Sequence, residues 1–565
     1  MDRYIRAMVV LFPLAAAGGC TAHEERPMAD VIVSGGRIWT GEPGADLAEA
    51  LAVRDGRVMA VGSAEEIDAV RGPATRVVDA AGGTVLPGLI DSHTHFLTGG
   101  FQLASVDLRD ADTPEEFVRR IRAFATTREP GTWITGGSWD HERWGGELPD
   151  RAWIDSITPE HPVFVTRLDL HMGLANSRAL EEAGVTPEMQ SPAGGEIVRD
   201  PATGRWTGVL KDEAMQVVRR AIPDPSPAEW DQALDAATRH ALSLGVTQVH
   251  DVDGWASLEV YERALAGDRL PLRVYAVVPM SSWERLRDRV TERGRGDERL
   301  WWGGLKGFVD GSLGSTTAWF HQPYADAPET SGLLTSDTAA LRAWIMAADA
   351  AGLQPVVHAI GDRANDWLLD VYAELDSRNG RRDRRARIEH AQHLTPSAID
   401  RIAELGVVAS MQPYHAADDG RWAEKRIGPE RIRTTYAFRS LLDAGAELAF
   451  GSDWTVAPLD PFLGIDAAVT RRTLDGANPE GWIPEQRIGL VEALDAYTRG
   501  ASHAGFSDRF SGTLTQGKVA DLVVLNTDLF QLPETELASA VVERTFVGGV
   551  EVYRRGAVNE AGGDR

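Results

Sequence analysis

An α/β chain built on a (β/α)8 TIM-like barrel is the fold the sequence predicts, and three observations predict it. Short apolar runs of strand length recur between helix-like segments, eight in all when the run before His93 is counted. Most of these runs end in a residue able to bind a metal or move a proton, and strand ends are where barrel enzymes place their chemistry. Both ends of the chain are instead β-rich and rich in turn signals. A small composite β-sandwich from both termini, with an insertion after the first barrel strand, completes the expected architecture.

Residues 1–20 read as a lipoprotein-type signal peptide: Arg3 and Arg6 make a basic start, and residues 7–17 are an apolar stretch too short to span a bilayer. Ala17-Gly18-Gly19-Cys20 resembles the lipobox of bacterial lipoproteins, with Ala17 in place of the usual leucine. Cys20 is the only cysteine, which excludes an intramolecular disulfide and leaves a lone thiol in an exported chain. Lipidation would explain it; a plain secretory signal with an incidental cysteine is the alternative. Thr21 stands where an inner-membrane retention aspartate would be, so the expectation is a lipid anchor on Cys20 at the periplasmic face of the bacterial outer membrane.

Residues 21–29 form a polar tether. The sandwich is expected from 30–84 and 505–560, where Arg54-Asp55-Gly56-Arg57 is a hairpin turn between short apolar strands. The barrel occupies 85–504 and includes an insertion at about 97–225. In the insertion, Thr113-Pro114-Glu115-Glu116 is a helix cap with a first-turn proline and a capping-box acid. Strand-like stretches follow at 133–141, 162–171, 194–198 and 207–210. Regular alternation resumes at Ser226-Pro227-Ala228-Glu229, which opens a helix that Gly245 closes. The later barrel strands are read at 246–251, 272–278, 304–309, 354–358, 387–390, 407–411 and 447–450.

At 565 residues, 43% hydrophobic and 25% charged, the chain can bury a large core. Its net charge of −26, without a basic stripe, argues against nucleic acid as a partner. A small-molecule substrate is the expected partner, with a homo-oligomer possible.

Val85-Leu86-Pro87-Gly88-Leu89-Ile90-Asp91-Ser92-His93-Thr94-His95 is the stretch that carries the chemistry. Side chains alternate along a strand, so His93 and His95 share a side, and two imidazoles there make half of a metal site. A bare His-x-His also arises from ordinary surface or core histidines. Further along, Lys306, His358, His390 and Asp453 stand at other strand ends. His393 competes with His390, Lys306 has Asp310 nearby as a salt-bridge partner, and Asp453 also suits a helix N-cap.

This ordered set resembles the amidohydrolase superfamily. More narrowly, Leu305-Lys306-Gly307-Phe308-Val309-Asp310-Gly311-Ser312-Leu313-Gly314-Ser315, Leu170-His171-Met172-Gly173-Leu174-Ala175-Asn176-Ser177-Arg178-Ala179-Leu180 and Gly451-Ser452-Asp453-Trp454 resemble the amidohydrolase-3 branch, which includes N-substituted formamide deformylases. The resemblance covers nearly the whole chain after the signal and implies a metal-dependent hydrolase of non-peptide C–N bonds. Divalent metal, zinc foremost, is implied as one or two ions, with His93, His95 and Asp453 on one and His358 and His390 on the other. An ammonium on Lys306 would repel a cation, and the resemblance implies a carbon dioxide-derived carbamate bridging two ions. Such ions would turn a bridging water into a hydroxide nucleophile, with Asp453 carrying its proton to the leaving amine.

His171 is the candidate for orienting the substrate carbonyl. Asp140, His141, Trp144, Asn176, Tyr414 and His415 are weaker pocket candidates. Related deaminases use a glutamate three residues beyond the fifth-strand histidine; here that place is Gly361, with Asp362 one residue displaced. Amide hydrolysis is therefore favoured over deamination. Ester, lactone or cyclic-amide hydrolysis at the same site remains an alternative, as does a non-catalytic periplasmic binding lipoprotein.

Overall fold

All eight expected barrel strands are present in the computed structural model, which describes residues 27–170, 172–186, 188–192 and 195–557. Residues 1–20, read above as a signal peptide with Cys20, most of the stretch read as a tether, and His171 lie outside the described residues. The barrel strands are β1 Leu89–Thr94, β2 Val246–Asp251, β3 Arg273–Pro279, β4 Leu300–Phe308, β5 Gln354–Ala359, β6 Arg387–His390, β7 Val408–Met411 and β8 Glu447–Phe450. Each pairs in parallel with the next, in chain order. β4 starts earlier than its sequence suggests, because Trp301 and Trp302 are buried and pair with Tyr275 and Ala276. The Gly303-Gly304 pair hides that half of the run from a propensity reading.

The sheet closes between β8 and β1 through the loop after β8 rather than a regular ladder. Asp453 N donates to His93 O at 2.8 Å, and His95 N donates to Trp454 O at 2.6 Å. The buried Asp91 carboxylate accepts from His93 N and Ser452 N, each at 3.0 Å. This seam needs Gly451, where an added Cβ would lie 2.6 Å from both Asp91 Oδ1 and His93 N.

Helices cover the barrel in the usual manner. Pro227–Ser243 opens where expected, and its Ser226 and Glu229 form a capping box. A helix the sequence reading missed, Phe96–Leu103, follows His95 at once. Its Gly100 faces the carbonyl of Ala233, where a Cβ would come within 2.1 Å, so the two helices meet at backbone distance. The inserted segment forms its own six-stranded sheet from Val106–Asp107, Gly136–Trp139, Phe164–Arg167, Met172–Ala175, Gly195–Arg199 and Trp206–Asp212. In the helix Pro114–Ala125, Thr113 caps Glu116 N, but the Glu116 carboxylate bonds Arg119 and Arg120 instead of turning back to complete a box.

The two ends of the chain meet in one hydrogen-bonded sheet of eight strands. Ala29–Ile38 lies within it, and Leu522–Leu525 joins it through Thr84–Pro87. Val33, Leu51, Val53, Leu522, Val524 and Phe546 share its apolar core. The boundary with the barrel therefore falls at Gly88, not before Val85: Thr84–Pro87 and Leu89–Thr94 are both wholly buried, so periodicity cannot separate them. A buried fork joins the layers, with Arg273 Nε and Nη2 donating to Asp521 at 2.6 and 2.9 Å. No helix among the described residues is long and apolar enough to cross a membrane.

The seam makes a testable demand. Gly451→Ala should cost about 1–3 kcal/mol through overpacking and lower the thermal midpoint. Gly489→Ala, whose Cβ would meet only Glu492 Oε2 at 3.5 Å, should leave it unchanged. Scans at one heating rate check both, and equal midpoints would remove the seam from the account of stability.

Candidate active site

Six side chains converge at the C-terminal mouth of the barrel: His93, His95, Lys306, His358, His390 and Asp453 all line one cavity. His93 Nε2 lies 3.2 Å from Lys306 Nζ and 3.5 Å from Asp453 Oδ1. His95 Nε2 lies 3.5 Å from the same carboxylate oxygen. The ring centroids of His93 and His390 are 5.1 Å apart, and those of His358 and His390 are 4.5 Å apart. One nitrogen each of His93 and His390 and one oxygen of Asp453 fall within 4.8 Å of one another.

A second layer aims these rings. His93 Nδ1 donates to Glu389 in a short hydrogen bond, His95 Nδ1 donates to Asp253 Oδ1 at 2.8 Å, and His390 Nδ1 donates to Gln412 Oε1 at 2.8 Å. Each acceptor fixes the ring proton on Nδ1 and leaves the Nε2 lone pair for the site. His358 is held the other way round, with Nε2 donating to Gly311 O at 3.1 Å. Glu389 is itself clamped by Arg387, whose Nε and Nη2 donate at 2.7 and 2.9 Å, and by Ser410 Oγ at 3.0 Å.

Backbone bends complete the set. Arg387 and Glu389 already point into the barrel, so simple alternation would turn His390 outward with Ile388. Instead His390 and Ala391 adopt left-handed φ values of 77° and 42°, which brings the imidazole round. Asp453 is left-handed too, at φ 56°, and the hydrogen bond from its amide N–H to His93 O holds it there. Such strain persists only where surrounding bonds enforce it.

Electrostatics follow from burial. Desolvation, then the nearby Lys306 and His95, hold His93 well below the ordinary histidine range; desolvation and His358 do the same for His390. His95 is raised, because the bond and charge of Asp253, with Asp453, together outweigh its burial. Burial lowers Lys306 to about 8, against the pull of Glu389 and Asp453. Burial lifts Asp453 to about 6. Asp310 is no partner for Lys306: its carboxylate accepts from Trp319 N, Ile360 N and Gly361 N at 2.7, 3.0 and 2.8 Å.

The cavity measures about 270 Å³ and has apolar walls at Leu168, Leu170, Phe308, Leu313, Ile360 and Val456. Of the weaker candidates, Asp140 and His415 line it, and His415 Nε2 is buried with no hydrogen-bond partner among the described residues. His141 faces an adjoining chamber and accepts from Arg167 Nε at 3.3 Å. Three candidates lie elsewhere. Trp144 packs on Phe117 in the core of the insertion, with Nε1 on Glu147 O. Asn176 is a buried cap whose Oδ1 accepts from Ala179 N and Val163 N. Tyr414 lines a separate hollow beside Arg472 and Leu474. His393 is spent on Thr435 and Gln392, so it does not displace His390. Sequence reasoning missed Glu389, Asp253, Gln412, Arg167 and Trp422; the one available signal was the charged pair Arg387 and Glu389 inside a strand flanked by apolar residues.

Comparison with known proteins agrees with this arrangement. A family model described as the amidohydrolase family matches residues 76–553. The chain is 41% identical over 539 residues to protein LONG AFTER FAR-RED 3 of Arabidopsis thaliana, covering 93% of this chain and 92% of that one. It is 29% identical over 548 residues to an N-substituted formamide deformylase of Arthrobacter pascens, covering 94% and 99%. The crystal structure of an uncharacterized metal-dependent hydrolase from Pyrococcus horikoshii OT3 superimposes with a TM-score of 0.74 at 29% identity, covering 89% of this chain and 99% of that one. With the family match running from the terminal sheet through every barrel strand, the chain belongs to the amidohydrolase family, hydrolases of carbon–nitrogen bonds other than peptide bonds.

Proposed function

We propose that this hydrolase cleaves a small N-substituted amide on one or two divalent ions, with zinc the first candidate. The observation that carries the reading is the second layer: His93, His95 and His390 each have Nδ1 tied to an acceptor, so their free lone pairs converge beside Asp453. Imidazole lone pairs turned toward a carboxylate fit a zinc-like cation, and they are poorly suited to binding an anion. His93, His95 and Asp453 would hold one ion, and His358 and His390 a second. When bound, the ions would supply Lewis acidity toward the carbonyl and acidity to a water.

The protein's own groups do the rest. Asp453, lifted to about 6, is suited to take a proton at its carboxylate and deliver it to the departing amine nitrogen. Lys306, lowered to about 8, keeps a neutral fraction near physiological pH, which reaction with carbon dioxide to a carbamate requires. His171 retains the role of orienting the substrate carbonyl in this reading. Ring deamination is disfavoured, since Asp362 accepts from His321 N at 2.8 Å and does not line the cavity. Export and lipid anchoring through Cys20, on the periplasmic face of the outer membrane, belong to the same proposal and rest on the sequence.

Elemental analysis of protein starting after Cys20 and purified without chelators should find about two zinc-like ions per chain. A single ion would demote Lys306 and one histidine; none after metal is added back would favour a binding protein. Asp453→Asn should fold normally by circular dichroism and lose at least about 100-fold in turnover; an active variant would overturn its role as proton carrier. Gln412→Met, which removes the acceptor of His390 Nδ1, should weaken metal affinity about 10–100-fold in chelator competition. Unchanged affinity would sink the argument from the second layer.

A further inference from the structure

The cavity over the six side chains continues beyond its own walls. Asp140, Arg167, Asp169, Gly314, Arg421 and Trp422 line it and also line a second chamber of about 430 Å³, which touches none of the six. Alone, the inner chamber of about 270 Å³ is smaller than most ligand sites, which run to about 300–1,000 Å³. The two together fall within that range.

The partition has two sides. On one, Arg167 is held between Asp140 at 2.9 Å and Asp169 at 2.7 Å, with Nε on His141, so its donors are occupied and it forms a fixed wall. On the other, the Trp422 indole lies over Gly314 in the loop after β4, where an added Cβ would come 3.6 Å from the ring. Arg426 ties that loop down through Thr316 Oγ1 at 3.1 Å and Gly314 O at 3.3 Å.

The chambers differ in chemistry. The inner one sets apolar walls at Leu168, Leu170, Phe308, Leu313, Ile360 and Val456 beside the six side chains and adds acidic groups at Asp418 and Asp419, with Lys306 its only lysine among the described residues. The outer one instead carries Lys211, Lys425 and Arg426 together with Glu142, Asp212 and Asp475. A carboxylate left in the inner chamber would face Asp418 and Asp419, whereas the outer chamber offers it Lys211 and Lys425, and an apolar stretch is matched by the inner walls, so one orientation of a two-part molecule is favoured. We infer that the substrate is elongated and amphipathic, with a short apolar stretch beside the scissile bond and a terminus bearing charges of both signs in the outer chamber. Gly314 and Trp422 set the width of the passage between them. This inference rests on the C–N hydrolase reading for which bond is cut, but not for which molecule binds.

Binding and turnover therefore separate the two. Butylamine and lysine share an amine on a four-carbon stretch and differ in the zwitterionic end; N-butylformamide and Nε-formyl-lysine are the matching amides. Calorimetry on the metal-loaded protein should show lysine binding about tenfold or more tighter than butylamine. Gly314→Leu, which narrows the passage, should bring that ratio close to one. The double variant Glu142→Ala/Lys425→Ala, changing only exposed side chains, should lower the ratio as well and serves if Gly314→Leu does not fold. Equal affinities in the parent protein, or a preference untouched by both variants, would overturn the inference. A clear binding preference with neither amide cleaved would leave it standing and count against the proposed reaction.

Discussion

The ion pair of Arg387 and Glu389 is the interaction on which the site depends. Both side chains are inaccessible to solvent, and their bonds reach four barrel strands: Arg387 meets His250 on β2, Ser92 O on β1 and Ser410 on β7, while its own strand carries Glu389. A buried pair of this kind is weak evidence for stability, since a well-packed apolar replacement often does as well. Breaking it on one side, by contrast, costs about 3–5 kcal/mol. What an apolar replacement could not do is accept the Nδ1 proton of His93 and thereby aim its lone pair. The pair thus places an acceptor, itself held by Arg387 and Ser410, where the His93 Nδ1 proton meets it.

Much of the architecture was legible because the barrel repeats. Apolar runs ending in His93, Lys306, His358, His390 and Asp453 mark strand ends, and buried parallel strands carry that signature in plain composition. The second layer was not legible, because Asp253, Glu389 and Gln412 acquire meaning only through partners more than twenty residues away in the chain. Nor could alternation place His390, whose left-handed bend overrides the period of two. Trp144, Asn176 and Tyr414 show the opposite failure. A polar or aromatic residue next to a strand end serves capping and packing as readily as binding, and sequence alone does not distinguish these uses.

Division of labour between the layers follows from the same geometry. Groups suited to hold metal come from the barrel, whose strands fix them to within hydrogen-bonding tolerance. The walls that meet a substrate come largely from outside it: Asp140 and Arg167 from the inserted sheet, and Arg421 and Trp422 from the segment between β7 and β8. Loops and insertions can vary in length and composition without disturbing a closed sheet. Substrate preference can thus change in this architecture while the reaction stays the same.

The seam shows where that independence ends. Asp453 is brought to the site by the hydrogen bond from its amide N–H to His93 O that closes β8 onto β1, and Asp91 fixes the preceding residue by accepting from Ser452 N. Closure and the proposed chemistry therefore share a backbone segment. Burial lifts Asp91 to about 7 although amide donors from His93 and Ser452 oppose that rise, so the seam buries a carboxylate at a cost that packing elsewhere must offset. An asparagine there would relieve that cost and keep Oδ1 for both amides, yet its NH2 would stand as a donor where Oδ2 now accepts from Ser452 N at 3.1 Å, loosening the register of His93 against Asp453. The left-handed turn at Asp453, the absent side chain at Gly451 and the buried charge at Asp91 answer one requirement: the two ends of the barrel must meet with a carboxylate facing two histidines. Local rules are broken at this place, where the strands join and the proposed site is built on the same residues.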